Sequence, residues 1–139
     1  MQPSLYDKEN VILEKLSLHF NTLKRFDVIV FYPYEEDTKE QYIKRIIGLP
    51  GETVQIKDNV IYIDGKPLQE NFALEEKELY GGRAAEPIVL ANDEYFVIGD
   101  NREFSYDSRY REIGNIKKSS IEGRLVLVFW PLKQFGPVR

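Results

Sequence analysis

Gln41-Tyr42-Ile43-Lys44-Arg45-Ile46-Ile47-Gly48-Leu49-Pro50-Gly51 reads as a β-strand running into a tight turn, with a lysine in the middle of its apolar run. Side chains alternate between the two faces of a strand. Tyr42, Lys44 and Ile46 therefore share one face, and Ile43, Arg45 and Ile47 the other. One of the two cations must lie on the more buried face. Arg45 is expected to be the exposed one, because a guanidinium stays charged at any relevant pH. Burial disfavours an ammonium and lowers a lysine's pKa. A neutral lysine is a general base, so the stretch is a candidate for lysine-based catalysis. The competing reading is a lysine whose stem packs while its head reaches water.

Outward from this strand the pattern is mostly β. Asp27 to Tyr32 is a strand ended by Pro33. Thr53 to Ile56 and Val60 to Ile63 form a hairpin across Lys57-Asp58-Asn59, and Asp64-Gly65 closes its second strand with a turn. Glu94 to Ile98 and Gly123 to Trp130 are two further strands. Glu70 to Glu86 is polar, acidic and glycine-containing, an excursion within about 65–94. Arg109 to Ser120 reads as a loop with one helical turn. The expected fold is a small antiparallel β-barrel or sandwich within a single domain over 1–139.

The chain has 139 residues, 42% of them hydrophobic and 13% aromatic, enough for one domain with a real core. The net charge of −4 argues against nucleic acid as a partner. No cysteine is present, which excludes a disulfide framework, a thiol nucleophile and a cysteine-ligated metal. No segment approaches the roughly 18 consecutive apolar residues of a membrane span, and no secretory signal is visible at the N-terminus. The single histidine, His19, has no metal-ligand spacing. Gly48-Leu49-Pro50-Gly51 is a turn and not a phosphate loop, since no Gly-Lys-Ser/Thr follows. Glu35 and Glu75 look like solvated charge. No cofactor or metal is expected.

A second constellation is Gly99-Asp100-Asn101-Arg102-Glu103-Phe104-Ser105-Tyr106-Asp107-Ser108-Arg109, directly after an apolar strand. Its bland reading is a polar surface loop. Its density of carboxylates, hydroxyls and arginines suits a hydrogen-bonded network that fixes a loop beside a site.

Together these segments resemble the type I signal peptidases, serine endopeptidases that remove signal peptides from exported proteins. Tyr42 to Glu52 resembles the family's lysine box, with Glu52 where Asp is usual. The Gly99 to Arg109 stretch matches the Gly-Asp-Asn-Arg-x-x-Ser-x-Asp-Ser-Arg box at every fixed position. Arg25 to Phe31 resembles the strand box, with Phe26 in place of the usual glycine. Met1-Gln2-Pro3-Ser4-Leu5 resembles the end of the Ser-Met-x-Pro-Thr-Leu box, with Ser4 at the threonine position. The order and spacing of all four boxes agree. The short region between Gly65 and Glu94 resembles the compact Gram-positive form.

The resemblance implies a Ser-Lys mechanism with Lys44 as general base. Ser105 would hydrogen-bond and orient the Lys44 amine. Asp107 and Arg109 would form an ion pair that shapes the loop, and Asp100 and Arg102 are structural. Tyr42, Ile43, Ile46 and Phe104 would desolvate Lys44. The nucleophile would be the serine immediately before the position of Met1. A second serine and a membrane anchor would lie further upstream, so the chain as given is expected to be inactive. Substrate would add as a strand along Gln41 to Ile43. Met1, Leu5, Tyr42 and Ile43 are the candidates for the pocket nearest the scissile bond, and Ile43 and Val30 for the next. Expected partners are signal-peptide-bearing preproteins, pilins among them. The membrane surface is another, contacted near Trp130 and the N-terminus on its extracytoplasmic face.

Three rivals stand beside this reading. One is an inactive homologue that binds or assembles surface proteins such as pilins; retention of Lys44 and Ser105 argues against it. Another is a self-cleaving repressor of the related Ser-Lys fold, disfavoured by the missing DNA-binding helices. The third is a plain structural β-domain, which four ordered boxes make improbable.

Overall fold

The computed structural model describes residues 10–15, 23–34, 40–70, 79–130 and 136–137. Its strands are β1 (Asn10–Glu14), β2 (Val28–Phe31), β3 (Tyr42–Gly48), β4 (Thr53–Lys57), β5 (Val60–Ile63) and β6 (Lys66–Pro67). They continue with β7 (Ile88–Val89), β8 (Glu94–Ile98), β9 (Ile116–Lys117), β10 (Ile121–Trp130) and β11 (Gly136–Pro137). All pairings are antiparallel. The larger sheet has the order β1-β10-β2-β3-β8-β9, with β11 also on β10; the smaller runs β6-β5-β4-β7. Among the described residues neither sheet closes on itself, so the sandwich alternative holds over the closed barrel.

The alternation in β3 builds two cores on opposite faces of the larger sheet. Ile46 joins Ile29, Phe31, Tyr95 and Val97 on one side. Ile47 joins Phe96 and Ile98 on the other, where they meet Val54, Ile56, Ile61 and Ile63 of the smaller sheet. Cross-strand register explains the partition: Ile29 lies opposite Lys44 and Phe31 opposite Tyr42, so these four share a face. Val28, Val30 and Leu125 form a third cluster, with Ile43 packed against it.

Turn chemistry sets the smaller sheet. Asp58 and Asn59 both have positive φ, 49° and 63°, as a two-residue type I′ hairpin requires. Asp64 and Gly65 repeat the device at 49° and 76° and add β6, which was not expected from sequence.

Two features hold the end of β3. Gly48 is a close approach: a Cβ there would sit 2.6 Å from Val54 Cγ2 and 2.8 Å from Leu90 Cδ1. The following turn is fastened by Glu52, whose carboxylate accepts the Leu49 N–H at 2.7 Å and pairs with the Arg25 guanidinium at 2.6 Å and 2.9 Å. The longer glutamate is therefore fully used where the resemblance has aspartate. Phe26 holds φ 74°, the left-handed region, at a position where the resemblance has glycine. That conformation costs about 1–2 kcal/mol for a residue with a Cβ. The ring packs against the inter-sheet core, and its N–H and C=O are bonded to Ile46 O and Arg45 Nη1.

Candidate active site

Lys44 is half-buried in the middle of β3, on the face of Tyr42 and Ile46 and opposite Ile29. Its Nζ lies 5.5 Å from the centroid of the Tyr42 ring. Burial lowers the Lys44 pKa below the ordinary 10.5; Asp107 and Asp100 oppose the shift, and Arg109 adds to it. The backbone around it is open on one side. β2 pairs with Tyr42 to Arg45, but β8 pairs with β3 only from Arg45 onward, because the chain leaves the sheet after Ile98. Among the described residues no strand covers the other edge of Tyr42 to Lys44.

The expectation for Arg45 is reversed. Arg45 is 1% exposed, and its Nε and Nη2 pair with both oxygens of the fully buried Asp100 at 2.8 Å and 2.7 Å. A fork of fixed donors matches a carboxylate edge, so the permanently charged cation is the one this fold can bury. The sequence argument compared the cations alone and omitted Asp100, which lies 55 positions away.

The loop after β8 folds back on that strand. Ser108 donates its N–H to Val97 O at 3.1 Å and accepts the Val97 N–H on Oγ at 3.1 Å. Asp107 is the hub. Its carboxylate accepts the Gly99 N–H at 3.0 Å, Arg109 Nε at 2.8 Å and Arg109 Nη2 at 3.0 Å. Arg109 Nη2 also donates to Arg102 O at 2.7 Å and Ser105 O at 3.2 Å, closing the loop on itself. Arg102 reaches Glu70 at 2.6 Å, Arg109 Nη1 reaches Tyr80 O at 3.3 Å, and the Arg83 N–H donates to Arg109 O at 2.9 Å. Glu70, Tyr80 and Arg83 carried no signal in the sequence, because each acts on the loop from a distant, polar stretch.

This hub brings Ser105 to Lys44. Ser105 is buried. A Cβ on Gly99 would land on the Ser105 hydroxyl, 2.7 Å from Ser105 Cβ and 3.6 Å from Lys44 Cδ. Glycine at 99 therefore leaves the space in which the serine hydroxyl and the lysine stem meet. The expected hydrogen bond from Ser105 to the Lys44 amine is not made in this structure: Ser105 Oγ has no partner among the described residues. Gly99→Ala is expected to push the Ser105 hydroxyl away from the Lys44 stem while the domain stays folded, read in a crystal structure of the variant beside its melting temperature.

The other site candidates divide. Tyr42 is half-buried, and Gln41 is exposed, with Nε2 donating to Tyr32 Oη at 3.0 Å. Ile43 and Val30 are direct cross-strand partners on the face away from Lys44; Val30 is buried and Ile43 half-buried. Ile43 therefore does not desolvate Lys44; Ile46, Ile29 and Tyr42 share its face. Phe104 does not either, being 79% exposed at the loop tip. Met1 and Leu5 lie outside the described residues, as do Ser4, His19, Glu35, Glu75 and the side chain of Trp130. No helix among the described residues is long and apolar enough to cross a membrane.

Residues 1–130 match the model of the family described as signal peptidase, peptidase S26. Signal peptidase I of Leptolyngbya laminosa is 40% identical, covering 98% of this chain and 67% of that protein. Probable signal peptidase I-2 of Synechocystis is 36% identical over 98% of this chain and 62% of its own length. Signal peptidase I of Bacillus caldolyticus is 36% identical over 98% of this chain and 78% of its own. The chain thus spans roughly two thirds of the first two relatives. A crystal structure of a signal peptidase I from Enterococcus faecalis V583 superposes with a TM-score of 0.60 at 35% identity, covering 82% of this chain and 99% of that one. With the sequence, the fold and the boxes in agreement, the chain belongs to the signal peptidase family, peptidase S26.

Proposed function

We propose that the domain cleaves signal peptides from exported preproteins, with Lys44 as the general base. The observation that carries this reading is a half-buried lysine of lowered pKa, beside a buried serine, at an uncovered strand edge. The nucleophile is the serine that the family's box places immediately before the position of Met1. Its hydroxyl proton passes to neutral Lys44 Nζ as its oxygen bonds to the peptide carbonyl carbon. When the tetrahedral intermediate collapses, the C–N bond breaks and the Lys44 ammonium protonates the leaving amine. Water then attacks the acyl carbon as Lys44 accepts its proton; the ester C–O bond breaks, and the Lys44 ammonium returns a proton to the serine oxygen, restoring the free enzyme. The Asp107–Arg109 pair shapes the loop that carries Ser105 to the Lys44 stem, and Ser105 Oγ is the group that would orient the amine once the two bond.

Substrate binds by strand addition. The free edge of Tyr42 to Lys44 offers backbone donors and acceptors to an extended peptide, whose small side chains would lie beside Tyr42 on one face of the strand and beside Ile43 and Val30 on the other. The proposed substrates are preproteins, pilins among them, met at the extracytoplasmic face of the membrane. The full-length enzyme is expected to cut a synthetic signal-peptide substrate once, after a Ser-x-Ala segment, and to reject the same peptide with a bulky residue before the bond. Binding without any cut would favour an assembly factor, and equal cutting of both peptides would contradict the pocket assignment.

A further inference from the structure

Tyr42 and Lys44 lie two residues apart on one face of β3, so their side chains stand side by side over the sheet. The Tyr42 ring is held at both ends. It packs edge-on against Phe31, its cross-strand partner, with centroids 6.1 Å apart and planes at 60°. Its hydroxyl shares a side-chain hydrogen bond with Tyr34. Lys44 Nζ sits 5.5 Å from the ring centroid, within the roughly 6 Å over which an aromatic face attracts a cation.

We propose that Tyr42 is a positioning residue for Lys44, its ring face holding the ammonium that forms as Lys44 takes the serine proton. The proposal rests on Lys44 being the base. A neutral amine gains little from the ring quadrupole, whereas the developing ammonium gains fully. The contact therefore strengthens along the proton transfer, and that difference accelerates the reaction. It also answers a difficulty of the site: the same burial that frees the amine penalises the ammonium it must become. The charged groups facing Lys44 are Asp107 and Asp100, which favour the ammonium, and Arg109, which opposes it. Those facing Tyr42 are Tyr34 and Glu40. Tyr106 stands close enough to feel both Tyr34 and Tyr42 and bonds Glu112. The Tyr42 ring adds an uncharged aromatic face whose centroid lies 5.5 Å from Nζ.

The test grades the ring without changing its size. Tyr42→Phe keeps the face; 3,4,5-trifluorophenylalanine at position 42 cancels its quadrupole. The Lys44 pKa is read directly by competitive acetic anhydride labelling across pH, and kcat and KM are measured on the full-length enzyme. Tyr42→Phe, which loses the hydroxyl but keeps the face, is the reference against which the fluorinated ring is read. The fluorinated ring should lower the Lys44 pKa by about half a unit to one unit and the plateau kcat, measured above that pKa, by up to roughly threefold to tenfold, with KM unchanged. An unchanged labelling pKa across the series, or a rise in KM alone, would overturn the proposal and leave Tyr42 as a pocket wall. If instead the labelling pKa moves but the activity profile does not follow it in any variant, the base assignment fails and Tyr42 still holds the amine.

Discussion

Lys44→Met in the full-length enzyme is expected to lower kcat/KM on a signal-peptide substrate by roughly 10²–10⁴-fold, the usual contribution of a positioned base. The fold should survive, because Met matches the length of the lysine stem and no ion pair holds Lys44 among the described residues. Stability itself should show the trade between site and fold. The Lys44 pKa is lowered on folding, so between its folded value and 10.5 the unfolded chain binds more protons. Wild-type stability must then rise with pH through that window, the penalty being fully present below it. In Lys44→Met this rise disappears, and at neutral pH the variant should melt no lower than wild type. Retained turnover would remove Lys44 from the mechanism; a collapsed fold would make it a structural residue.

Asp107→Ala carries the largest expected cost to the fold. It would leave Arg109, 1% exposed, as an unpaired buried cation and orphan the Gly99 N–H. Breaking a buried pair by removing one partner costs about 3–5 kcal/mol. For a domain of this size that is a loss in melting temperature on the order of 10–20 °C, measured by calorimetry. The milder Asp107→Asn should keep much of the shape and let activity be read. Asp107 raises the Lys44 pKa and Arg109 lowers it. Removing the carboxylate charge should thus move the activity profile to lower pH, the reverse of what loss of a cation would do. A melting temperature within 2–3 °C of wild type for Asp107→Ala, about 1 kcal/mol or less, would contradict the hub role.

What was legible in the sequence was what depends on short-range pattern. The alternation of β3, the Asp58-Asn59 hairpin and the β8 strand follow from residues next to one another. The Asp107–Arg109 pair was reached only because the whole box matched a known family, since spacing alone does not form an ion pair. The failures share a cause. Arg45 was placed outside because its partner Asp100 comes from another strand's end. Phe104 was placed on Lys44 because it precedes Ser105 in the chain, yet a loop that turns Ser105 inward must turn its neighbour out. β7, β9 and β11 are two residues long each and exist through their partners rather than their own propensity. The bracing of the loop by Glu70, Tyr80 and Arg83 is likewise a property of the packed molecule.

The central claim is that burial in this fold turns Lys44 into the base. It is tested most directly by titrating the Lys44 amine itself, by pH-dependent labelling, beside the pH dependence of kcat/KM in the same enzyme. Activity needs the neutral amine, so it should climb with rising pH, and its midpoint should coincide with the labelling pKa, both below 10.5. A Lys44 amine that titrates at the ordinary lysine value, with activity already full several units lower, would contradict it.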